Sequence, residues 1–299
     1  MGIVGDLRGA MWRKRMRARV ERYGNNHAPA LNRHYIDYHR RAQAGFDAHR
    51  HPIAGIARER AALLRDQGFL TVPPRTDAEA GRALKEKVDA TFEREGNTYP
   101  FGTGGLRLID GFEQLPEITD LIAGPLEQVL LAYYESHFKL YAVTVYRIVP
   151  DEHAPESSFL WHFDNAPDLQ IKLMIYLDDT VDETGAFRFK TRQESERARS
   201  MGFWHRDEYE LARPVFDNAE TTHVVEGPPG TAVFFQPGRV VHKATAPRRS
   251  HRDVAVLVIN PSQVYWREHL ARNRHLMSTN AGLCLNLDTD QPENIGYRF

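Results

Sequence analysis

A single cysteine, Cys284, stands in 299 residues, which excludes an intrachain disulfide and any cysteine-rich zinc cluster. A metal held by this chain would need histidine and carboxylate ligands. No run of about 18 apolar residues occurs, and no leading stretch resembles a signal peptide, so the expected location is cytoplasmic. Gly2 has Asp6, not Ser or Thr, four residues on, so the myristoylation pattern is absent. Gly227-Pro-Pro-Gly230-Thr231 lacks the Gly-Lys-Ser/Thr of a phosphate-binding loop and reads as a turn. Charge of either sign is also nearly balanced, at −1 overall, but unevenly spread. Residues 1–50 hold eleven Lys/Arg against four Asp/Glu.

Within that basic part, Trp12, Met16, Val20 and Tyr23 recur at helical spacing with arginines between them, which predicts an amphipathic helix over 3–23. It can pack on the protein's own body or a second subunit, lie on an anionic membrane surface, or meet nucleic acid. A second helix is expected over 29–50 and a third over 56–66, stopped by Gly68. A short strand follows at 69–72; Thr76 with Glu79 then forms a capping box, and helical patterning returns between 117 and 138. Residues 1–54 form a basic helical extension in this reading, and 55–299 a single catalytic domain ending in a helix.

After residue 138 the texture turns to β. Strand-like segments lie at 139–149, 169–177, 186–190, 223–225, 231–235, 240–245 and 253–259, bounded mostly by Gly, Pro or Asp. Many short strands without intervening βα units predict a sandwich or barrel, mainly β with helical additions, and not a Rossmann sheet. The charged stretch 191–215 interrupts the series as a lid or insertion.

In extended backbone, His162 and Asp164 point to one face, so an imidazole and a carboxylate can chelate one ion. A histidine from a distant strand would complete a two-His, one-carboxylate triad, the arrangement suited to iron(II) oxygenases. About one His-x-Asp arises by chance in such a chain, and three occur: His162-Phe-Asp164, His205-Arg-Asp207 and His251-Arg-Asp253. The second lies in the charged interruption and reads as solvated surface. The third opens the last core strand, with only His269 and His275 downstream, on an expected C-terminal helix. The first has a partner: a glycine turn, the apolar run 231–235 and a second turn lead to His242. Ten residues later Arg252 leads into the last strand, where a guanidinium can pair bidentately with the distal carboxylate of a dicarboxylate ligand.

Across roughly residues 60–265 the chain resembles the 2-oxoglutarate/Fe(II) oxygenase superfamily, and within it the phytanoyl-CoA-dioxygenase-like group. The resemblance runs through His162-Phe-Asp164, the strand and turn at 169–179, Gly185-Ala186-Phe187, His242 and Arg252. It implies a double-stranded β-helix (jelly-roll, cupin-like) core, Fe(II) on His162, Asp164 and His242, 2-oxoglutarate anchored by Arg252, and O2 as co-reactant. Lys190-Thr-Arg-Gln-Glu-Ser stands where that group commonly has Pro-Gly-Ser-His.

Lys172 alternates with Ile171 and Leu173, so it points either into the barrel as a cosubstrate contact or to solvent; Tyr146 is either a core aromatic or a similar contact. Arg248 and Arg249 compete with Arg252 but fall in an expected turn. Trp161 and Phe163 read as packing residues. The expected activity is hydroxylation of a small-molecule or lipid-linked substrate. A glycolipid or lipopolysaccharide-sugar hydroxylase docked at the inner membrane surface and a non-catalytic jelly-roll binding protein are the alternatives. Nucleic acid is disfavoured, because Val258 stands where the demethylases of this superfamily carry a second arginine. A homo-oligomer remains open, and substrate-lining segments are sought at 97–110 and 191–222.

Overall fold

The computed structural model describes residues 29–47, 49, 51–74, 78–100, 105–108, 111–150, 157–164 and 166–277. The basic segment 3–23, the cap at Thr76 and Cys284 lie outside them.

Helix α1 (Pro29–Ala44) lies against the end of the last strand, where the Gln263 amide donates to the Tyr38 hydroxyl at 3.1 Å. Helix α2 (Gly55–Gln67) buries Ala57, Ala61 and Leu64, one helical face, and ends at Gly68 with φ +82°. A Cβ there would lie 2.1 Å from a Val240 methyl, so only glycine closes this helix. Strand β1 (Phe69–Val72) and helix α3 (Ala78–Phe92) follow, then two strands that the alternation did not announce, β2 (Thr98–Pro100) and β3 (Gly105–Leu108). Each is too short to show a pattern of its own.

The helical patterning over 117–138 divides into two helices and ends before residue 137. After the turn α4 (Gly111–Gln114), α5 (Glu117–Ile122) stops before Gly124, with φ +78°, and α6 (Pro125–Tyr134) starts on Pro125. Proline lacks the amide an unbroken helix needs and disfavours helical backbone before it. Glu135 turns left-handed at φ +52°, and strand β4 (His137–Ile148) begins two residues earlier than expected.

Strands β5 (Ile171–Tyr176), β6 (Phe187–Lys190), β7 (Thr222–Val225), β8 (Ala232–Phe235), β9 (His242–Lys243) and β10 (Arg252–Ser262) complete the antiparallel framework. The seven-stranded sheet has the order β1-β8-β5-β10-β4-β3-β2; the smaller has β7-β6-β9. The strand expected at 240–245 shrinks to two residues because the Val240 amide closes a turn on the Gln236 carbonyl. Helix α9 (Trp266–Met277) follows β10.

Alternation sorts the large sheet into two faces. Ile171, Leu173, Ile175, Ala255, Leu257 and Ile259 pack with Leu64, Val129 and Leu130 of the helices. Met174, Tyr176, Val254 and Val256 face the other way, onto Phe187, Phe189 and Val225 of the small sheet. Two facing antiparallel sheets with helices on one side give the mainly β, jelly-roll architecture expected.

The segment 191–215 is folded throughout. Thr191 caps α7 (Arg192–Ser200), accepting from the Glu194 amide, and a 3-10 stretch leads to α8 (Arg213–Phe216). Ala198, Phe203, Ala212, Val215 and Phe216 form a third core with Trp161, Phe163 and Val241, so the insertion braces the stretch around His162. His205 and Asp207 lie on its surface, as expected.

An ion network fixes where β10 begins. Asp253, fully buried, accepts from Arg147 Nε and Nη2 at 2.7 and 2.6 Å, and Arg147 also binds Asp89 of α3. Lys85 bonds Asp89 at 2.8 Å and lies 3.7 Å from Asp178. His251 Nε2 sits 3.4 Å from both Asp253 and Asp178 and 3.6 Å from Asp89. Three carboxylates face two cations, so a protonated imidazole balances the group. The bond to Asp253 leads in raising the His251 pKa above its ordinary 6.5, against burial.

A pKa raised on folding stabilises below the unfolded value and stops doing so as pH rises through the folded one. Thermal denaturation between about pH 6 and 8 should therefore show wild type losing stability relative to His251→Leu as pH rises. Parallel curves would overturn this role.

Candidate metal centre

His162 and His242 sit on different segments joined by one antiparallel bridge: the His162 amide donates to the His242 carbonyl at 3.0 Å and the reverse bond is 3.1 Å. Two residues on, the Asp164 amide donates to the Pro237 carbonyl at 2.8 Å, which keeps this stretch extended. His162 and Asp164 therefore share a face, as the spacing predicts.

Both rings are tied alike. His162 Nδ1 lies 2.7 Å from the Leu160 carbonyl and His242 Nδ1 lies 2.8 Å from that of Val240. A carbonyl only accepts, so each Nδ1 carries a hydrogen, and Nε2 is the ring nitrogen each histidine has available to ligate. Those Nε2 atoms stand 3.5 and 3.8 Å from Asp164 Oδ1, and the three donor atoms lie within 4.8 Å of one another. Donors about 2.1 Å from one ion at right angles stand about 3 Å apart. The set thus fits a divalent ion on one octahedral face after a small contraction.

Phe235 and Phe187 rings lie 4.9 and 5.7 Å from that of His242. Burial first, then His162, pushes the His242 pKa down to about 3, so the ring is neutral and able to ligate. Burial alone would raise the Asp164 carboxyl. Lys172, paired with Oδ2, overrides it with His162 and His242 and holds the group well below 3.8.

Arg252 projects to the inner face, opposite its neighbour Asp253, and is 1% exposed. One nitrogen donates to the Gly185 carbonyl, while Nε is buried with no hydrogen-bond partner. Gly185 has φ +90°, and a Cβ there would meet the Thr245 carbonyl at 2.5 Å. Tyr176, opposite Val254, donates to the Val225 carbonyl at 2.8 Å and accepts from the Phe187 amide at 3.2 Å. Burial pushes its phenol up to about 12.

Of the expected site residues, His162, Asp164, His242 and Lys172 are brought together directly, and Tyr146 and Arg252 line the same interior. Burial raises the Tyr146 phenol, and Arg252, Lys172, Asp164 and Arg107 act on it. Lys172 points inward, and its contact is a carboxylate of the triad. Arg248 instead forms an exposed pair with Asp182 at 3.1 Å. Two inner-face residues escaped sequence reasoning: Tyr176, which the alternation 172-174-176 could have found, and Arg107, on a strand too short to announce itself. The rival triad of Asp89, His251 and Asp253 also brings its ligand atoms together, but Arg147 and Lys85 already engage its carboxylates.

No family model matches the sequence, and no curated protein matches it. Solved structures do resemble it. The non-haem α-ketoglutarate-dependent carbocyclase SnoK of nogalamycin biosynthesis is 19% identical, over 74% of this chain and 91% of that one, with a TM-score of 0.51. EctD from S. alaskensis, with 2-oxoglutarate and 5-hydroxyectoine, is 17% identical over 70% and 77%, TM-score 0.51. The epimerase SnoN, in complex with Fe3+, α-ketoglutarate and nogalamycin RO, is 15% identical over 69% and 84%, TM-score 0.50. At these identities the likeness establishes a shared jelly-roll fold.

Proposed function

We propose that this protein is an Fe(II)- and 2-oxoglutarate-dependent dioxygenase that hydroxylates a C–H bond of a small-molecule or lipid-linked substrate. The observation that carries the reading is the joint geometry of the inner face. Two imidazoles with Nδ1 tied off and one carboxylate converge on a point, beside a buried arginine whose Nε has no partner. Similar folds hold iron and α-ketoglutarate, as in SnoN. The resemblance through His162-Phe-Asp164, the strand and turn at 169–179, Gly185-Ala186-Phe187, His242 and Arg252 is what favours the phytanoyl-CoA-dioxygenase-like group within that reading.

His162 Nε2, Asp164 Oδ1 and His242 Nε2 would hold iron, leaving three positions for exchangeable ligands. Together with dioxygen, bound iron and 2-oxoglutarate supply the oxidising power for C–H hydroxylation, with succinate and CO2 as coproducts. Arg252 would pair with the far carboxylate of the cosubstrate, and the Tyr146 hydroxyl would flank it. Lys172 occupies Asp164 Oδ2, so the carboxylate presents one oxygen to the metal. Phe187 and Phe235 keep water from the His242 side. In this proposal residues 55–299 form the oxygenase domain and 1–54 an extension whose segment 3–23 can touch a membrane surface. Among the described residues, no helix is long and apolar enough to cross one.

Purified protein should form succinate from 2-oxoglutarate only with added Fe(II), and His242→Ala should abolish it; normal turnover in that variant would sink the triad. Arg252→Met should weaken 2-oxoglutarate binding about a hundredfold with metal uptake unchanged, as calorimetry can show. Lys172→Met should lower metal affinity about tenfold, and unaltered affinity would remove its positioning role.

A further inference from the structure

Arg199, near the end of α7 in the folded insertion, touches both segments that converge on the metal centre. Its Nη2 donates to the Gly238 carbonyl, in the turn that leads to His242. Its guanidinium carbon lies 4.0 Å from the centre of the Phe163 ring, the residue between His162 and Asp164, and 5.5 Å from that of Trp204.

The two segments are closely seated here. The Asp164 amide donates to the Pro237 carbonyl at 2.8 Å, and a Cβ on Gly238 would stand 2.5 Å from the Ala166 carbonyl oxygen. One guanidinium therefore grips residue 238 while Pro237, its neighbour in the chain, holds the amide of a candidate ligand. In extended backbone the Phe163 ring points away from His162 and Asp164, onto Arg199 and Phe203. Whatever fixes that ring also fixes the pitch of the backbone on either side of it.

Packing alone does not call for an arginine at this place. Burial pushes the Arg199 pKa down to about 10, against the opposing charge of Asp168, and its Nε is buried with no hydrogen-bond partner. A methionine of similar length would fill the space without that desolvation. What a methionine cannot supply is a donor for the Gly238 carbonyl together with a planar cation on the Phe163 face.

We propose that Arg199 is a positioning residue for the metal ligands, clasping the Gly238 carbonyl and the Phe163 face at once and so fixing the His162–Asp164 segment against the turn that delivers His242. This role deepens the dioxygenase reading and rests on it for the identity of the ion. Without the guanidinium, the reciprocal backbone bonds still join His162 to His242. The ligand set loose is Asp164, so metal affinity falls while the third core of Trp161, Phe203, Val215 and Phe216 keeps the fold.

The test is a Co(II) titration of the full metal-free chain, in which the visible bands of the bound ion report affinity and ligand geometry together. Arg199→Met should bind Co(II) about tenfold more weakly, with an altered spectrum and native circular dichroism. Arg199→Lys keeps a donor for Gly238 but loses the planar contact, and should recover part of the affinity. Arg199→Met and Phe163→Leu break the same clasp, so their effects on affinity should be non-additive. Equal Co(II) affinity and spectrum in Arg199→Met, or additive effects in the double variant, overturns the proposal. If Arg199→Met does not fold, Arg199→Lys combined with Phe163→Leu decides by the same criterion. A second measurement needs no metal: hydrogen exchange at the Asp164 amide should quicken in Arg199→Met, with the His162 and His242 amides unchanged. Exchange that is unaltered at Asp164, or faster at all three, overturns the clasp. If wild type takes up no divalent ion, the dioxygenase reading fails by itself; selective exchange at Asp164 would still support the clasp, and its absence would remove it.

Discussion

The two reciprocal backbone hydrogen bonds between His162 and His242 hold the centre together. They set two segments 80 residues apart in the chain side by side, at one register. Each ring then reaches back to the carbonyl two residues before it, so the same extended geometry that aligns the backbones also selects the tautomer. Asp164 comes into the same space because its amide is held by Pro237, just before the turn that leads to His242. Slipping that register by one residue would turn the candidate ligands away from each other. The bracing of Trp161, Phe163 and Val241 by the folded insertion protects it from behind.

Strand β10 does comparable work on the large sheet. Its first residues, Arg252 and Asp253, are both buried charges pointing to opposite faces. Asp253 is held by Arg147 on the helix side, so the strand starts at a defined place and Arg252 is delivered inward. The His251-Arg-Asp253 motif, a rival for the metal on sequence grounds, is thus a structural clamp. Removing one partner from such a buried network leaves an uncompensated charge, which gives the clamp its rigidity.

The interior is consequently a polar row embedded in an aromatic chamber. Tyr99, Arg107, Tyr146 and Tyr176 cross the large sheet at one level, and Phe187, Phe189 and Phe235 close around His242. Low polarity around few charges strengthens every electrostatic interaction among them.

Much of this was legible in the sequence. The seven β segments after residue 138, the stop at Gly68, the triad residues and Arg252 followed from alternation, turn residues and spacing, because those signals are local. The helix break at Gly124-Pro125 is written in the sequence as well, in a proline that cannot continue a helix. Other features had no local signature. Strands β2 and β3 have three and four residues and exist because β4 offers an edge to β3, and β3 one to β2. The contact of Lys172 with Asp164, the clamp at His251 and the inward row that includes Arg107 depend on which strands lie side by side. Local chemistry and periodicity determined which residues can ligate and which faces are apolar; tertiary pairing alone decided which charges meet, because electrostatic partners are chosen by distance in space and not along the chain.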